Sequence, residues 1–258
     1  MRSANRWAVL AAVMLAFTPV VVDMTILHIA VPSLTLALGA TGNEVLWIID
    51  IYPLIMAGLL VPMGTLADRI GYRRLLLTGL CIFTAASVAA AFSTSAAMLI
   101  GARAALGVGS AMIMPCVLAI VRHCFEDDGE RATALGIWSV VGSAGAAIGP
   151  LAGGILLEHF WWGSVFLVNV PIMLAVIPAN MLLLPAIAGN KAAEWKIGQA
   201  IILVAGLIAT VYGIKTGFKM GLEILPFATI AFGTAMLFWF ARLQFAAEKP
   251  MLDLALLG

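Results

Sequence analysis

Apolar residues gather along the chain into blocks of about 20, the helical length that crosses a ~30 Å hydrocarbon core. Eight blocks stand out, at about residues 7–29, 45–67, 75–92, 98–121, 132–157, 165–184, 197–216 and 224–241. Short polar breaks punctuate them: Gly39 to Asn43, Arg69 to Arg74, Ser93-Thr94-Ser95, the charged run Arg122 to Arg131, and the stretches 158–163, 185–196 and 215–223. The pattern predicts an all-α polytopic membrane protein with eight transmembrane helices. The first block follows a short basic start, as in a signal peptide, but it runs past 20 residues into further blocks, so it reads as an uncleaved first helix.

Composition sharpens this picture. Of 258 residues 63% are hydrophobic and only 10% charged, against about 25% charged in a soluble domain. No basic stripe offers a surface to nucleic acid. Cys81, Cys116 and Cys124 lie in or beside apolar runs and read as buried small hydrophobes rather than a disulfide framework. No Gly-Lys-Ser/Thr phosphate loop, nucleophile elbow or zinc motif occurs, so the sequence predicts neither an enzyme nor a bound cofactor. His123 and His159 fall in loops without metal-ligand spacing, His28 reads as a packing residue, and Glu126, Asp127, Asp128 and Glu130 read as a solvated turn.

The cationic residues assign an orientation. With a cytoplasmic N-terminus, Arg2, Arg6, Arg69, Arg73, Arg74, Arg122, Arg131, Lys191, Lys196, Arg242 and Lys249 fall inside and only Lys215 and Lys219 outside, eleven against two, which predicts cytoplasmic termini.

Ionisable residues within spans cost several kcal/mol unless they face a partner or a cavity. Asp23, Asp50 and Arg103 are such residues. At 1.5 Å per residue Asp23 lies ~24 Å above the cytoplasmic end of span one, while Asp50 and Arg103 lie ~8 Å below the outer ends of spans two and four, so all three share the outer part of the membrane. The plain reading is a buried ion pair that only holds helices together. Two acids against one base favour function, because one carboxylate is left to bind a proton or a cation. Trp47, one helical turn before Asp50, can offer its face to an organic cation or anchor the helix at the interface. Pro19 loosens the helix beside Asp23. Arg103, Gly107, Ser110 and Met114 fall on one stripe of span four and are expected to line a cavity. Gly142, Gly145, Gly149 and Gly153 form a stripe of span five suited to close packing, with Pro150 and Gly154 beside it.

These residues also carry a resemblance. The run Gly64-Thr65-Leu66-Ala67-Asp68-Arg69-Ile70-Gly71-Tyr72-Arg73-Arg74 resembles the signature between spans two and three of the major facilitator superfamily. The run from Gly145 through Gly149, Pro150, Gly153 and Gly154 resembles the antiporter signature of its span five. Asp23 to Pro32 and Arg103 to Gly109 are similar to motifs of the fourteen-span drug:proton antiporters. Trp47-Ile48-Ile49-Asp50-Ile51-Tyr52 and Gly163 to Pro171 narrow the likeness to quaternary-ammonium and methyl-viologen resistance exporters. His28 stands where that family usually has asparagine, and Tyr72 where it usually has a basic residue.

The resemblance implies that residues 1–184 form the N-terminal six-helix bundle, built from two inverted three-helix repeats, and that 185–258 form a cytoplasmic linker and two additional helices, with the C-terminal six-helix half absent. It implies multidrug efflux of lipophilic cations by proton antiport across the bacterial cytoplasmic membrane, powered by the proton gradient without a cofactor. Asp23 and Asp50 would bind the cation or the proton, Trp47 would assist, and Arg103 would couple the two by pairing with an unprotonated carboxylate. Gly64, Asp68, Arg69, Gly71, Arg73 and Arg74 would form a cytoplasmic charge cluster. Expected partners are the bilayer, cationic drugs and protons, and the missing half or another membrane chain. Two other readings stay open: a facilitator of another small-molecule class, and a membrane fragment that only folds or associates.

Overall fold

The computed structural model describes residues 3–185, 189–190, 195–220 and 224–245, without the side chains of residues 3–5 and 218–220. Arg2, Lys191 and Lys249 of the charge count lie outside the described residues, as does the side chain of Lys219. Every regular element among the described residues is helical. The elements are α1 (Ser3–Leu38), α2 (Gly42–Ile70), α3 (Tyr72–Ala91), α4 (Ala96–Cys124), α5 (Asp128–His159), α6 (Ser164–Leu167), α7 (Asn169–Leu183), α8 (Ile197–Met220) and α9 (Ile224–Phe245). Eight candidate spans result, long and apolar enough to cross a membrane, with α6 and α7 sharing the span Ser164–Leu183. Pro171 has no N–H to give the carbonyl of Leu167, four residues back, and the helix is interrupted just there.

Sequence punctuation sets the helix ends. α1 outlasts its predicted end by about nine residues, because Pro32 is accommodated within the helix and Thr35 returns its hydroxyl to the carbonyl of Val31 at 2.6 Å. It stops at Gly39, whose φ of 59° is open to glycine and costly for other residues. The Ala40 amide then donates back to the carbonyl of Thr35 at 3.1 Å, a six-to-one closure of the helix end. α2 begins immediately afterwards with a capping box, in which the Glu44 amide donates to the Thr41 hydroxyl and the Thr41 amide to the Glu44 carboxylate. Ser95 and Asp127 cap α4 and α5 more simply, their side chains accepting from the Met98 and Glu130 amides.

α1 and α4 are the two central helices, burying more of their length than any other span among the described residues. α5 lies mainly on α1, and α2 mainly on α4, a reciprocal pairing of the kind two inverted three-helix repeats produce. Glycines allow these approaches. On α5 the stripe Gly142, Gly145, Gly149 and Gly153 faces Phe17, Val21, Thr25 and Ile26 of α1, and a Cβ at Gly149 would run into the Thr25 hydroxyl. On α4, Gly107 lies against the backbone of Tyr52 in α2, while Gly109 lies against Gly79 and Phe83 of α3. α8 and α9 form a hairpin docked on α2 through α8, where Val204 and Leu207 sit over Gly58.

Three expectations change. The predicted cavity stripe of span four is largely packed instead: Gly107 is closed by α2 and Ser110 is fully buried against Tyr52, because the small residues are used for helix contact. Cys81 is exposed on the outside of the bundle rather than buried, and Cys124 is only half-buried, leaving Cys116 as the buried thiol. The acidic turn is not simply solvated, since Glu130 forms an ion pair with Arg6 at 2.6 Å and ties α5 to α1.

The glycine stripe has a measurable consequence. Gly149→Val forces α5 off α1 and is expected to cost about 1–3 kcal/mol, read as a lower thermal unfolding midpoint in detergent. Gly154→Val, at a position with open space around it, serves as the neutral comparison. Equal melting of the two variants excludes the stripe as the contact that seats α5.

Candidate functional site

The structure divides the predicted site residues between two places. Asp23 of α1 and Arg103 of α4 come together at the centre of the bundle, with exposures of 0% and 1%. Arg103 Nη1 donates to Asp23 Oδ2 at 2.5 Å, and Arg103 Nε donates to the carbonyl of Ile48 in α2 at 3.1 Å. The guanidinium lies over the Tyr52 ring at 4.6 Å and 5.9 Å from the Phe166 ring. A planar, weakly hydrated cation suits such aromatic walls better than an ammonium does. The other oxygen of Asp23 accepts from Asn169 Nδ2 at 3.4 Å, and the same amide reaches Ser87 Oγ at 3.4 Å. Tyr52 closes the far side, its hydroxyl donating to the Val20 carbonyl at 3.0 Å and lying 2.8 Å from Ser110 Oγ. Six helices, α1 to α4 with α6 and α7, thus meet around one carboxylate and one guanidinium.

Asp50 has a different partner. Its carboxylate forms an ion pair with Lys215 of α8, and the two side chains are 35% and 17% exposed. The same ammonium donates to the Leu46 carbonyl at 3.1 Å and lies 5.4 Å from the Trp47 ring centroid. Tyr212, one turn earlier on α8, stacks on Trp47 at 6.0 Å with the planes 28° apart. The reckoning of two acids against one base is therefore corrected. Lys215, read from the sequence as an outer-loop cation, is a second base, and each acid has its own.

The residues of the expected charge cluster surround the turn between α2 and α3. Gly71 makes that turn with a φ of 96°, so a side chain there would be strained. Asp68 accepts from the Tyr72 hydroxyl, and its backbone carbonyl accepts the Asn190 amide at 2.8 Å. Arg73 donates to the carbonyl of Met181, one of the last in α7, so the cation caps that helix end. Arg69 and Arg74 are exposed, and Gly64 faces Pro115 of α4.

Asn169, Ser87, Tyr212 and Lys215 were not among the expected site residues. Asn169 was within reach of sequence reasoning: it is a polar side chain inside an apolar span, two residues before the proline that interrupts the helix. Lys215 carried no such sign at the end of its apolar block.

The sequence pattern of the Major Facilitator Superfamily matches residues 13–255. The chain belongs to this superfamily. It is 48% identical over 254 residues to the methyl viologen resistance protein SmvA of Salmonella typhimurium, covering 98% of this chain and 51% of that protein. It is 39% identical over 250 residues to the multidrug efflux pump LfrA of Mycolicibacterium smegmatis, covering 97% and 50% respectively. The chain thus spans about half the length of these curated relatives. Its fold is also that of the crystallised peptide transporter POT bound to alafosfalin, with a TM-score of 0.63 at 20% identity over 93% of this chain and 52% of that one. The human organic anion transporter MFSD10 matches with a TM-score of 0.62 at 15% identity, over 80% and 55%.

The buried pair makes its own prediction. Arg103→Met leaves Asp23 without its cation in a sealed site, and this is expected to destabilise the bundle by about 3–5 kcal/mol. Adding Asp23→Asn to that variant is expected to restore much of the loss, because no bare charge then stays buried. A double-variant cycle of thermal unfolding checks it, and strict additivity of the two substitutions contradicts an energetically coupled pair.

Proposed function

We propose that these residues form one side of an exporter of lipophilic organic cations, driven by inward proton flow across the bacterial cytoplasmic membrane, with both termini in the cytoplasm. The observation that carries the reading is the arrangement at Asp50: a half-exposed carboxylate beside an indole face, with a cation already held between them. A carboxylate supplies charge and an aromatic face supplies attraction without a fixed geometry, the chemistry that suits quaternary or bipyridinium cations of varied shape. The likeness to the methyl viologen resistance protein SmvA and the multidrug efflux pump LfrA supports this direction. The fold alone does not choose it, since its structural neighbours include a peptide and an anion transporter.

In this reading Asp23 and Arg103 do the coupling. Arg103 serves as the counter-ion while Asp23 is ionised, and a proton on Asp23 releases it. Since the Arg103 guanidinium of α4 bonds both Asp23 of α1 and the Ile48 carbonyl of α2, its release frees contacts among three helices at once. Alternating access requires a second bundle facing this one, contributed by further chain or by another membrane protein. The cluster around Gly71 steadies the cytoplasmic ends of α2, α3 and α7.

Two measurements test the proposal. Single cysteines at Gly42 and Gly129, in a background with the native cysteines replaced, are expected to react with an impermeant reagent from outside intact cells at 42 and not at 129; the reverse pattern overturns the orientation. In a complete transporter carrying this half, Asp23→Asn is expected to abolish cation export while the protein still inserts. Asp50→Asn should impair dications more than monocations. Wild-type dication export by both variants, with its proton dependence intact, removes the carboxylates from the mechanism.

A further inference from the structure

Along the interface between α2 and α8 contacts follow one another in antiparallel register. Trp47 and Asp50 meet Tyr212 and Lys215, Gly58 meets Val204 and Leu207, and the Pro62 carbonyl accepts the Trp195 indole N–H at 3.1 Å. The middle and lower contacts are those of ordinary helix docking. The upper one is not, because it brings a primary ammonium to a carboxylate, a backbone carbonyl and an indole face together. These are the three groups that would hold an organic cation.

We propose that Lys215 is a tethered occupant of the Asp50–Trp47 cation seat, which a transported cation must displace, so that α8 sets the affinity and selectivity of the site. The inference rests on the reading of Asp50 and Trp47 as a cation site given above. Three features support displacement over a permanent strut. The Lys215 side chain is 17% exposed and Asp50 35%, so the pair lies at the bundle surface and is reached without unpacking the bundle, unlike Asp23 and Arg103. Lys215 stands near the end of α8, five residues before Met220, and its flexible stem can carry the released ammonium to the membrane surface. α8 also keeps its hold on α2 through Gly58 and Tyr212, and Trp195 just before it keeps its bond to the Pro62 carbonyl, when Lys215 leaves.

Competition has a simple arithmetic: the apparent affinity of an incoming cation falls by the fraction of time the seat is free. A diffuse, weakly hydrated cation gains more from the indole face than a hydrated ammonium does, so the tether screens out small hydrophilic cations and yields to lipophilic ones.

Titration of tetraphenylphosphonium against the purified chain in detergent reads the effect directly. Lys215→Gln is expected to tighten binding about tenfold, Lys215→Arg to leave it near wild type, and Asp50→Asn to weaken it. A second measurement needs no variant. Tetraphenylphosphonium is expected to increase the acylation of Lys215 in the wild-type chain by an amine-reactive ester, followed by mass spectrometry of the peptide. If the cation binds with a requirement for Asp50 but Lys215→Gln is unchanged or weaker, or Lys215 acylation does not rise, Lys215 is a strut and the inference fails. If binding is indifferent to both Asp50→Asn and Trp47→Leu, the seat itself is refuted and the inference falls with it.

Discussion

One buried ion pair constrains the rest of the bundle. A guanidinium and a carboxylate with almost no exposure are tolerable only if the geometry between them is close and the remaining polar atoms are satisfied. Here that requirement engages five helices: α1 brings Asp23, α4 brings Arg103, α2 offers the Ile48 carbonyl and Tyr52 ring, α7 offers Asn169 and α3 offers Ser87. Helices can converge so closely only where side chains are small. Gly107 and Gly109 therefore sit on α4 one turn or so below Arg103, and the glycines of α5 let that helix press on α1 from the other side. The polar centre and the glycine contacts are one arrangement, since moving a helix outward to relieve a glycine contact also separates the charges.

The breaks in the helices serve the same centre. Pro19 removes a backbone donor one turn before Asp23, near the Val20 carbonyl to which Tyr52 donates. Pro171 interrupts the sixth span between Leu167 and Asn169, and the residue just past the break is the one that reaches Asp23. Backbone irregularity at membrane depth is tolerable where protein surrounds it, and both sites lie inside the bundle.

Much of this was legible in the residues themselves. Eight apolar blocks became eight candidate spans because their length and composition leave few alternatives. The meeting of Asp23 with Arg103 was anticipated by their shared depth, since unpaired charges there are costly. The glycine stripe of α5 met α1 at the expected spacing of small residues. What escaped was tertiary in origin. Whether Gly107 and Ser110 line a cavity or seal a contact depends on how near α2 comes, which helical periodicity does not encode. Lys215 looked like a loop cation because the apolar block ends beside it, and only the docking of α8 along α2 carries it back over Trp47. Residues 30–38, with Pro32 among them, lie beyond the end predicted for the first span. Yet a proline lacks only one donor, and the helix goes on to Gly39.

The two acids are held by two different bases, and the difference has physical content. Arg103 presents a rigid, planar fork that is matched to a carboxylate and a carbonyl at once. In that sealed site it is far easier to neutralise Asp23 with a proton, which needs almost no room, than to admit a second organic cation. Lys215 offers a compact ammonium on a flexible stem, at a place partly open to the outside. The exchange proposed there requires only that one cation replace another. A proton-sized event suits the inner pair and a drug-sized event suits the outer one. The coupling proposed between them would have a direct route through α2, because the carbonyl of Ile48 that receives Arg103 lies two residues from Asp50 and one from Trp47 on the same helix. Any shift of α2 that loosens Arg103 from Ile48 also moves the seat beneath Lys215.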